Sequence, residues 1–177
     1  NGLRAQAFSI TEGQVTTCTG VLLDSGGEGA SGYSNNEDYV CTICSDQPGH
    51  AITLNWTIFN LGNGGADPQD NLTIYDGSDV NAPVLGSYTA SNAPGIVSAS
   101  FANTSGCLTL QWHSNDSGEG LFSASITCYI PCEAPTAVVT MSEAAPALVC
   151  QGETVTFDAS GSYGASNHTI TQYYWHF

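Results

Sequence analysis

Apolar and polar residues alternate along much of this chain, in short stretches bounded by turn-forming residues. The clearest stretch is Ala51–Phe59, in which Ile52, Leu54, Trp56 and Ile58 fall on one face of an extended chain. A period of two residues is typical of a β-strand with one buried face. This stretch therefore predicts a β-strand with these four apolar side chains on one face.

Comparable stretches recur along the chain, separated by turns rich in Gly, Asn and Pro and without helical periodicity between them. The predicted strands lie at 14–19, 39–44, 51–59, 72–76, 83–88, 95–101, 107–112 and 121–129. Short strands at this spacing predict an all-β fold, namely a β-sandwich or jelly roll.

The pattern restarts around Pro131–Pro135, after which further strands are predicted at 137–141, 153–157 and 169–175. So few strands do not form a stable sandwich by themselves. We therefore expect an N-terminal segment (1–13), one complete sandwich (14–130) and a second β-domain (131–177) that is incomplete.

Charge limits the classes of partner. Sixteen acidic residues face a single basic one, Arg4, which gives a formal net charge of −15. Such a chain repels phosphate backbones and anionic lipid surfaces, so nucleic acid is excluded as an expected partner. No segment approaches the roughly 20 apolar residues that cross a bilayer, so no membrane insertion is expected. Cations, neutral glycans and basic surfaces remain as partners compatible with this charge.

Seven cysteines predict disulfide bonds and an oxidising compartment. The Cys41-Thr-Ile-Cys44 motif lacks the second CxxC or His pair of a zinc site. An extracellular or cell-surface location is therefore expected, with one thiol left unpaired or paired outside this segment.

Several motifs occur in an order that resembles a CUB domain, in the variant found in bacterial secreted proteins. These motifs are Thr17–Gly20, Asp24–Gly27, Tyr33–Glu37, Asp70–Gly77, Val84–Gly86, Cys107–Leu110 and His113–Ser117. Residues 131–177 are similar to the start of a PKD domain, an immunoglobulin-like sandwich, through Gly152–Ser162 and Tyr174–Phe177. The two resemblances together imply a large, non-catalytic adhesin at a bacterial surface.

The CUB resemblance also implies a Ca²⁺ site at one end of the sandwich. Asp70 matches the family's first ligand, but Asn115 stands at the position of a second acid, and the Glu expected near Gly62 is absent. The resulting candidate ligand set is Asp70, Asn115, Asp116, Ser117 and, from the long loop, Asp67. Because one carboxylate is lost, weak binding is expected. The alternative is that Asp70 and Asp116 only cap turns.

Aromatic residues form a second candidate surface. Tyr33 and Tyr88 lie near turns and are expected to be exposed, where they would stack on sugars, whereas Trp56 and Trp112 are expected in the core. The acidic residues around Asp24 and Glu37 are expected to shape turns.

Strand positions and the family resemblance together imply particular disulfide partners. The implied pairs are Cys18–Cys44, Cys107–Cys128 and Cys132–Cys150, which leave Cys41 over. Pairing of Cys18 with Cys41, with Cys44 free, stays open as an alternative.

Catalysis is not expected. The Asp24-Ser-Gly-Gly27 motif echoes that of some serine proteases, but no His is partnered as a triad requires. The expected function is recognition or adhesion, with an extracellular polysaccharide or surface protein as partner. Two alternatives are a substrate-docking region of a secreted hydrolase and a self-associating subunit of a surface filament.

Overall fold

The computed structural model describes residues 6–29, 32–62, 69–131, 137–141, 156–164 and 169–174. The chain divides into two compact units, Asn1–Pro131 and Cys132–Phe177. The strands of the first unit are β1 (Ala7–Ser9), β2 (Gln14–Thr16), β3 (Thr19–Leu23), β4 (Asp38–Cys44), β5 (Ala51–Asn60), β6 (Asn71–Tyr75), β7 (Val84–Tyr88), β8 (Ile96–Ser98), β9 (Leu108–His113) and β10 (Leu121–Tyr129). A single turn of 3₁₀-helix, Ile10–Glu12, separates β1 from β2.

These strands form two five-stranded sheets, in the orders β1-β3-β10-β5-β8 and β2-β4-β9-β6-β7. Most pairs are antiparallel, but β1 runs parallel to β3 and β2 runs parallel to β4. The all-β prediction is confirmed. No described residue belongs to a helix long and apolar enough to cross a membrane.

The core contains the inward residues of both sheets. Its fully buried side chains include Leu22, Ile52, Leu54 and Phe122 from one sheet and Ile43, Leu72, Ile74, Leu108, Leu110 and Trp112 from the other. Burial of one such aliphatic side chain stabilises the fold by about 1.5–3 kcal/mol. The prediction that Trp112 belongs to the core is confirmed, and Trp56 packs against the core while partly buried.

The prediction that Ile58 shares one face with Ile52 and Leu54 is wrong, since Ile58 is 42% exposed while the other two are fully buried. The register of β5 against β10 slips here: Ser123 pairs with Ile58, but the next residue, Ala124, pairs with Trp56. A β-bulge adds one residue to a strand and so reverses the alternation beyond it. Phe59 consequently takes the inward position and packs against the core.

The structure also contains a strand that the sequence pattern did not reveal. Strand β1 is only three residues long, too short to show an alternation, yet it completes one sheet by pairing with β3. Residues within the predicted N-terminal segment therefore belong to the sandwich.

Two of the predicted disulfide pairs, Cys18–Cys44 and Cys107–Cys128, are wrong, although the four cysteines concerned are all bonded. Cys18 is joined to Cys128, and Cys44 is joined to Cys107. Cys41 is free and buried, as the predicted pairing left it, so the alternative in which Cys44 is free is also wrong.

Strand pairing explains these partners. Thr19 lies opposite Thr127, which brings the ends of β3 and β10 together at the first disulfide. Ile43 lies opposite Leu108, which does the same for β4 and β9 at the second. The first bond thus joins the residue before β3 to β10, and the second joins β4 to the residue before β9, so each connects neighbouring strands of one sheet. The predicted Cys107–Cys128 pair would instead have connected the two sheets.

The second unit contains a short antiparallel pair, β11 (Thr140–Met141) and β12 (Phe157–Asp158). The first of these strands falls within the strand predicted at 137–141, and the second overlaps the strand predicted at 153–157 only at Phe157. The third predicted strand, over 169–175, is not formed in its described residues, 169–174. Cys132, Cys150 and Asp67 lie outside the described residues.

Candidate functional site

Several loops meet at the end of the sandwich where β4 begins and β9 ends. Asp38 of β4 and Asn71 of β6 both lie opposite His113, the last residue of β9. The loops that adjoin these positions are Tyr33–Glu37, Leu61–Gly62, Gln69–Asp70 and Ser114–Gly120, and we call them the rim. The strand register therefore brings together segments far apart in the sequence.

Tyr33 links three of these loops through its hydroxyl group. The hydroxyl donates to Asp70 Oδ2 at 2.7 Å and accepts from the Gly62 backbone N–H at 2.7 Å. The ring contacts those of Trp112 and Phe122, with centroids 4.6 and 6.1 Å away. Tyr33 is only 1% exposed, so the predicted exposure of this ring is wrong. The Tyr33 hydroxyl gives the buried Asp70 carboxylate a hydrogen bond that water would otherwise supply. The ring that carries this hydroxyl therefore lies inside the core.

Asp70 is the most deeply placed carboxylate of the rim, with 0% exposure. Its Oδ2 atom accepts from Tyr33, and its Oδ1 atom accepts from the Asn115 backbone N–H at 2.9 Å. Both of these donors are neutral, and none of the described residues is a Lys or Arg. A buried carboxylate is costly unless it is paired with a positive charge or coordinates a metal. Asp70 is thus well ordered but has no counter-charge among these partners.

The predicted loop ligands are only partly gathered around Asp70. Asn115 is adjacent through its N–H group, but its side-chain Oδ1 accepts from the Ser117 N–H at 2.8 Å, as in an Asx turn. Asp116 and Ser117 are exposed. The Asx-type turn of this loop is therefore formed by Asn115, whereas the turn-capping alternative named Asp70 and Asp116.

The oxygen atoms available at the rim determine whether Ca²⁺ fits there. Within the described ranges, no cluster of three or more His, Cys, Asp or Glu side chains is arranged to hold a metal ion. Ca²⁺ takes six to eight oxygens, so Asp70 and Asp116 do not complete a site alone. Carbonyl, amide and water oxygens would have to supply the rest. The rim does contain one buried oxygen without a hydrogen-bond partner, Asn35 Oδ1.

Asp24 shapes a turn beside the rim, as expected. Its carboxylate is 1% exposed and accepts from the N–H groups of Gly26 at 2.9 Å and Phe122 at 3.0 Å. Burial raises the pKa of Asp24 above its ordinary value, and the hydrogen bonds from Phe122 and Gly26 oppose this rise. These bonds join the Gly-rich loop to β10.

Glu37 and Ser114 connect the same loop to the end of β9. Glu37 accepts from the Ser25 hydroxyl and from the Ser34 N–H. Ser114 accepts from the Glu37 N–H at 2.9 Å and donates to the Ser34 carbonyl at 2.8 Å. Sequence reasoning missed this network because its hydrogen-bonded partners, such as Ser34 and Ser114, are as many as 80 positions apart and form no local motif. The network holds the rim loops in place before any ligand arrives.

The serine of the protease-like motif takes part in this network. The Ser25 hydroxyl donates to Glu37, and Asp24 accepts backbone N–H groups. His113 Nδ1 lies 2.7 Å from Asp38 Oδ1, in a pair whose side chains are 46% and 81% exposed. The described hydrogen bonds of Ser25 therefore lead to a carboxylate and not to a histidine base.

The two tyrosines proposed for sugar stacking do not form a shared platform. Tyr33 lies in the core, while Tyr88 is half-buried at the end of the edge strand β7 and packs against the core. The Tyr88 ring covers Gly86, where an added Cβ would approach its atoms to 2.5 Å.

Comparison with solved structures identifies the fold. The chain is similar to the CUB1-EGF-CUB2 domain of human MASP-1/3, with a TM-score of 0.52 and 22% identity over 71% of this chain and 44% of that one. The CUB1-EGF-CUB2 domains of rat MASP-1 give a TM-score of 0.49 and 20% identity, over 64% and 39%. The chain thus spans less than half of either structure.

No protein-family model matches the sequence. No curated protein matches it either. At this level of identity the structural likeness shows a CUB-like sandwich and nothing finer. That part of the sequence resemblance is confirmed, while the PKD-like and bacterial parts remain predictions.

Proposed function

We propose that this chain is a non-catalytic extracellular recognition module that binds a polysaccharide or surface protein at the rim, with Ca²⁺ as a weakly held cofactor. The observation that carries the proposal is the buried carboxylate of Asp70, which accepts hydrogen bonds from Tyr33 and Asn115 and has no Lys or Arg partner among the residues that the structure describes. A protein that builds such a group into its loops gains a preformed position for a cation or a cationic ligand group.

Ca²⁺ is the cation that suits this chemistry, because it prefers carboxylate, amide and hydroxyl oxygens. Asp70, Asn115, Asp116 and Ser117 would hold it, together with Asp67 from outside the described residues. A bound Ca²⁺ ion would lower the negative charge of the rim and offer coordination positions to ligand oxygens. The absence of a Glu near Gly62 favours modest affinity.

Other features support the extracellular and non-catalytic parts of the proposal. Two disulfides fit an oxidising compartment. Ser25, the residue in the protease-like position, is committed to Glu37. The resemblance to bacterial surface adhesins supports adhesion as the setting in which recognition takes place.

Thermal unfolding of the full chain during a Ca²⁺ titration tests the cation site. Asp70→Asn removes the charge at the rim, and Asp46→Asn is the matched control, since Asp46 is an exposed acid beyond the opposite end of β4. We expect Ca²⁺ to raise the Tm of the wild type and of Asp46→Asn, but not that of Asp70→Asn. At 100 times the Kd the stabilisation is about 2.7 kcal/mol.

A second variant protects this test against misfolding of Asp70→Asn. Asp116→Asn alters an exposed residue and should weaken the response without unfolding the chain. A flat response in the wild type, or an unchanged response in both rim variants, would overturn the calcium proposal.

Binding to ligands tests the recognition itself. The labelled chain is applied to a glycan array and to intact bacterial cells, in Ca²⁺ and in chelator. We expect binding that is lost in chelator and in Asp70→Asn, and kept in Asp46→Asn. Binding that is unaffected by chelator and by Asp70→Asn would show that the recognition surface lies away from the rim.

A further inference from the structure

Strands β7 and β8 form one lateral edge of the sandwich. Each is the last strand of its sheet, with β6 and β5 respectively as its described strand neighbour. Residues 89–95 connect the two strands directly, so both lie on the same side. We propose that this chain associates with a second copy of itself through this surface, which we call the β7–β8 edge.

Apolar side chains are exposed along this edge. Val84 is 58% exposed, Leu85 is 38% exposed and Ile96 is 68% exposed. The register of β7 against β6 slips between Val84 and Gly86, which leaves Leu85 as the extra residue of a bulge and turns it outward. Edge strands of stable monomers are commonly guarded by charged side chains, and neither β7 nor β8 contains one.

The absence of charge extends well beyond the two strands. From Val80 to Asn115 the sequence contains no Asp, Glu, Lys or Arg, although the chain as a whole has sixteen acids. Asp76 and Asp79 precede this stretch and both accept hydrogen bonds, while Asp116 follows it at the rim. Asp76 accepts from the Ser100 N–H at 2.9 Å, and Asp79 accepts from the Asn81 N–H at 2.7 Å.

The charge distribution selects the partner. Two copies of a chain with net charge −15 repel each other wherever acidic surfaces meet. The opposite edge of the sandwich carries Glu12 and Glu28, which line an open cleft beside β1. Contact between two β7–β8 edges brings no carboxylate of either edge against another. The same patch on both partners makes an isologous, closed dimer.

This interface has a distinctive dependence on salt. Screening at physiological ionic strength limits repulsion between the remaining acids to about 8 Å. Raising the salt concentration therefore strengthens an uncharged contact between acidic molecules, whereas it weakens a contact made of ion pairs. The dimer fraction should increase with salt.

Sedimentation equilibrium of the full chain tests the proposal, across concentration and at low and high NaCl, with chelator present throughout. Chelator makes the result independent of any cation at the rim. We expect a monomer–dimer equilibrium that shifts to dimer at high salt. Ile96→Lys and Val84→Lys should each weaken association by about tenfold or more, because a charge would enter an apolar contact.

Val40→Lys is the matched control, since Val40 is 46% exposed on β4, between β2 and β9 and away from the edge. It should leave the equilibrium unchanged, and unaltered circular dichroism would establish that all three variants fold. A wild-type monomer at millimolar concentration in both salts overturns the proposal, as does equal weakening by the control. Assemblies larger than a dimer overturn the closed arrangement.

Discussion

At the residue scale, Tyr33 organises the rim. Its hydroxyl serves Asp70 and the Gly62 N–H together, while its ring fills the core beside Trp112. Neither polar partner has access to bulk water in its place, since Asp70 and Gly62 are both buried. A single phenol therefore joins the packing of the core to the geometry of the candidate site.

Tyr33→Phe removes this hydroxyl and little else. We expect the free energy of unfolding to fall by about 1–3 kcal/mol, because a buried acceptor and a buried N–H lose a partner. Tyr75→Phe is the matched control, since its hydroxyl donates to Gln111 Oε1 at the surface, and it should change stability by about 0.5 kcal/mol or less. Urea denaturation measures both. Equal losses would show that the Tyr33 hydroxyl has no special role.

Burial determines the reactivity of Cys41, a cysteine that forms no disulfide in the structure. It lies on β4 with 0% exposure, and burial raises the pKa of its thiol from 9.0 to about 11. The thiolate, which is the reactive form, is therefore scarce at neutral pH. Cys41 acts as a small core residue.

At the element scale, the disulfides fasten neighbouring strands where they begin or end. Their partners are separated by 110 and 63 positions in the sequence. Closing loops of these lengths stabilises the fold by about 4–5 kcal/mol each in the chain-entropy model. Each bond thus holds together two paired strands that are far apart in the sequence.

Non-reducing digestion with a protease that cleaves after Glu tests this pairing. Cleavage gives peptides that include 13–28 with Cys18, 38–119 with Cys41, Cys44 and Cys107, and 120–133 with Cys128 and Cys132. The observed bonds predict that 13–28 is linked to 120–133, while 38–119 is closed on itself. Cys18–Cys44 with Cys107–Cys128 would join all three peptides, and mass spectrometry distinguishes the two outcomes.

At the scale of the whole molecule, charge is distributed unevenly. The chain carries a net charge of −15, yet the stretch from Val80 to Asn115 carries none of its acids. Self-repulsion of this size destabilises a compact state and keeps molecules apart in solution. The cation site proposed at the rim would offset this repulsion with positive charge, and the contact proposed at the β7–β8 edge would avoid it because neither strand carries an acid.

Salt should therefore stabilise the folded chain. We expect the Tm to rise between 10 and 300 mM NaCl (chosen to span Debye lengths of about 30 Å to below 8 Å) as repulsion among the acids is screened. Calorimetry of Ile96→Lys in chelator measures this effect apart from self-association and cation binding. Choline chloride at equal ionic strength should act alike. A Tm that falls or stays level would contradict the electrostatic account.

The sequence by itself determined the fold class and the position of most strands. Alternation with a period of two is a local property, so stretches such as Ala51–Asn60 and Leu121–Tyr129 could be recognised without knowing their neighbours. Charge and cysteine content likewise depend on composition alone. The nearness of Asp70 to the loop of Asn115 was predicted through the resemblance to a family and is present in the structure.

Only the tertiary structure decided the burial of Tyr33, the exposure of Ile58 and the partners of the disulfides. Each depends on which strands are adjacent, and adjacency is fixed by pairings between residues far apart in the sequence. The bulge opposite Ser123 reversed one face of β5, and the placement of Cys18 beside β10 determined its bond. A pattern of local alternation contains no information about these pairings, because the free energy that selects them comes from the packing of both sheets together.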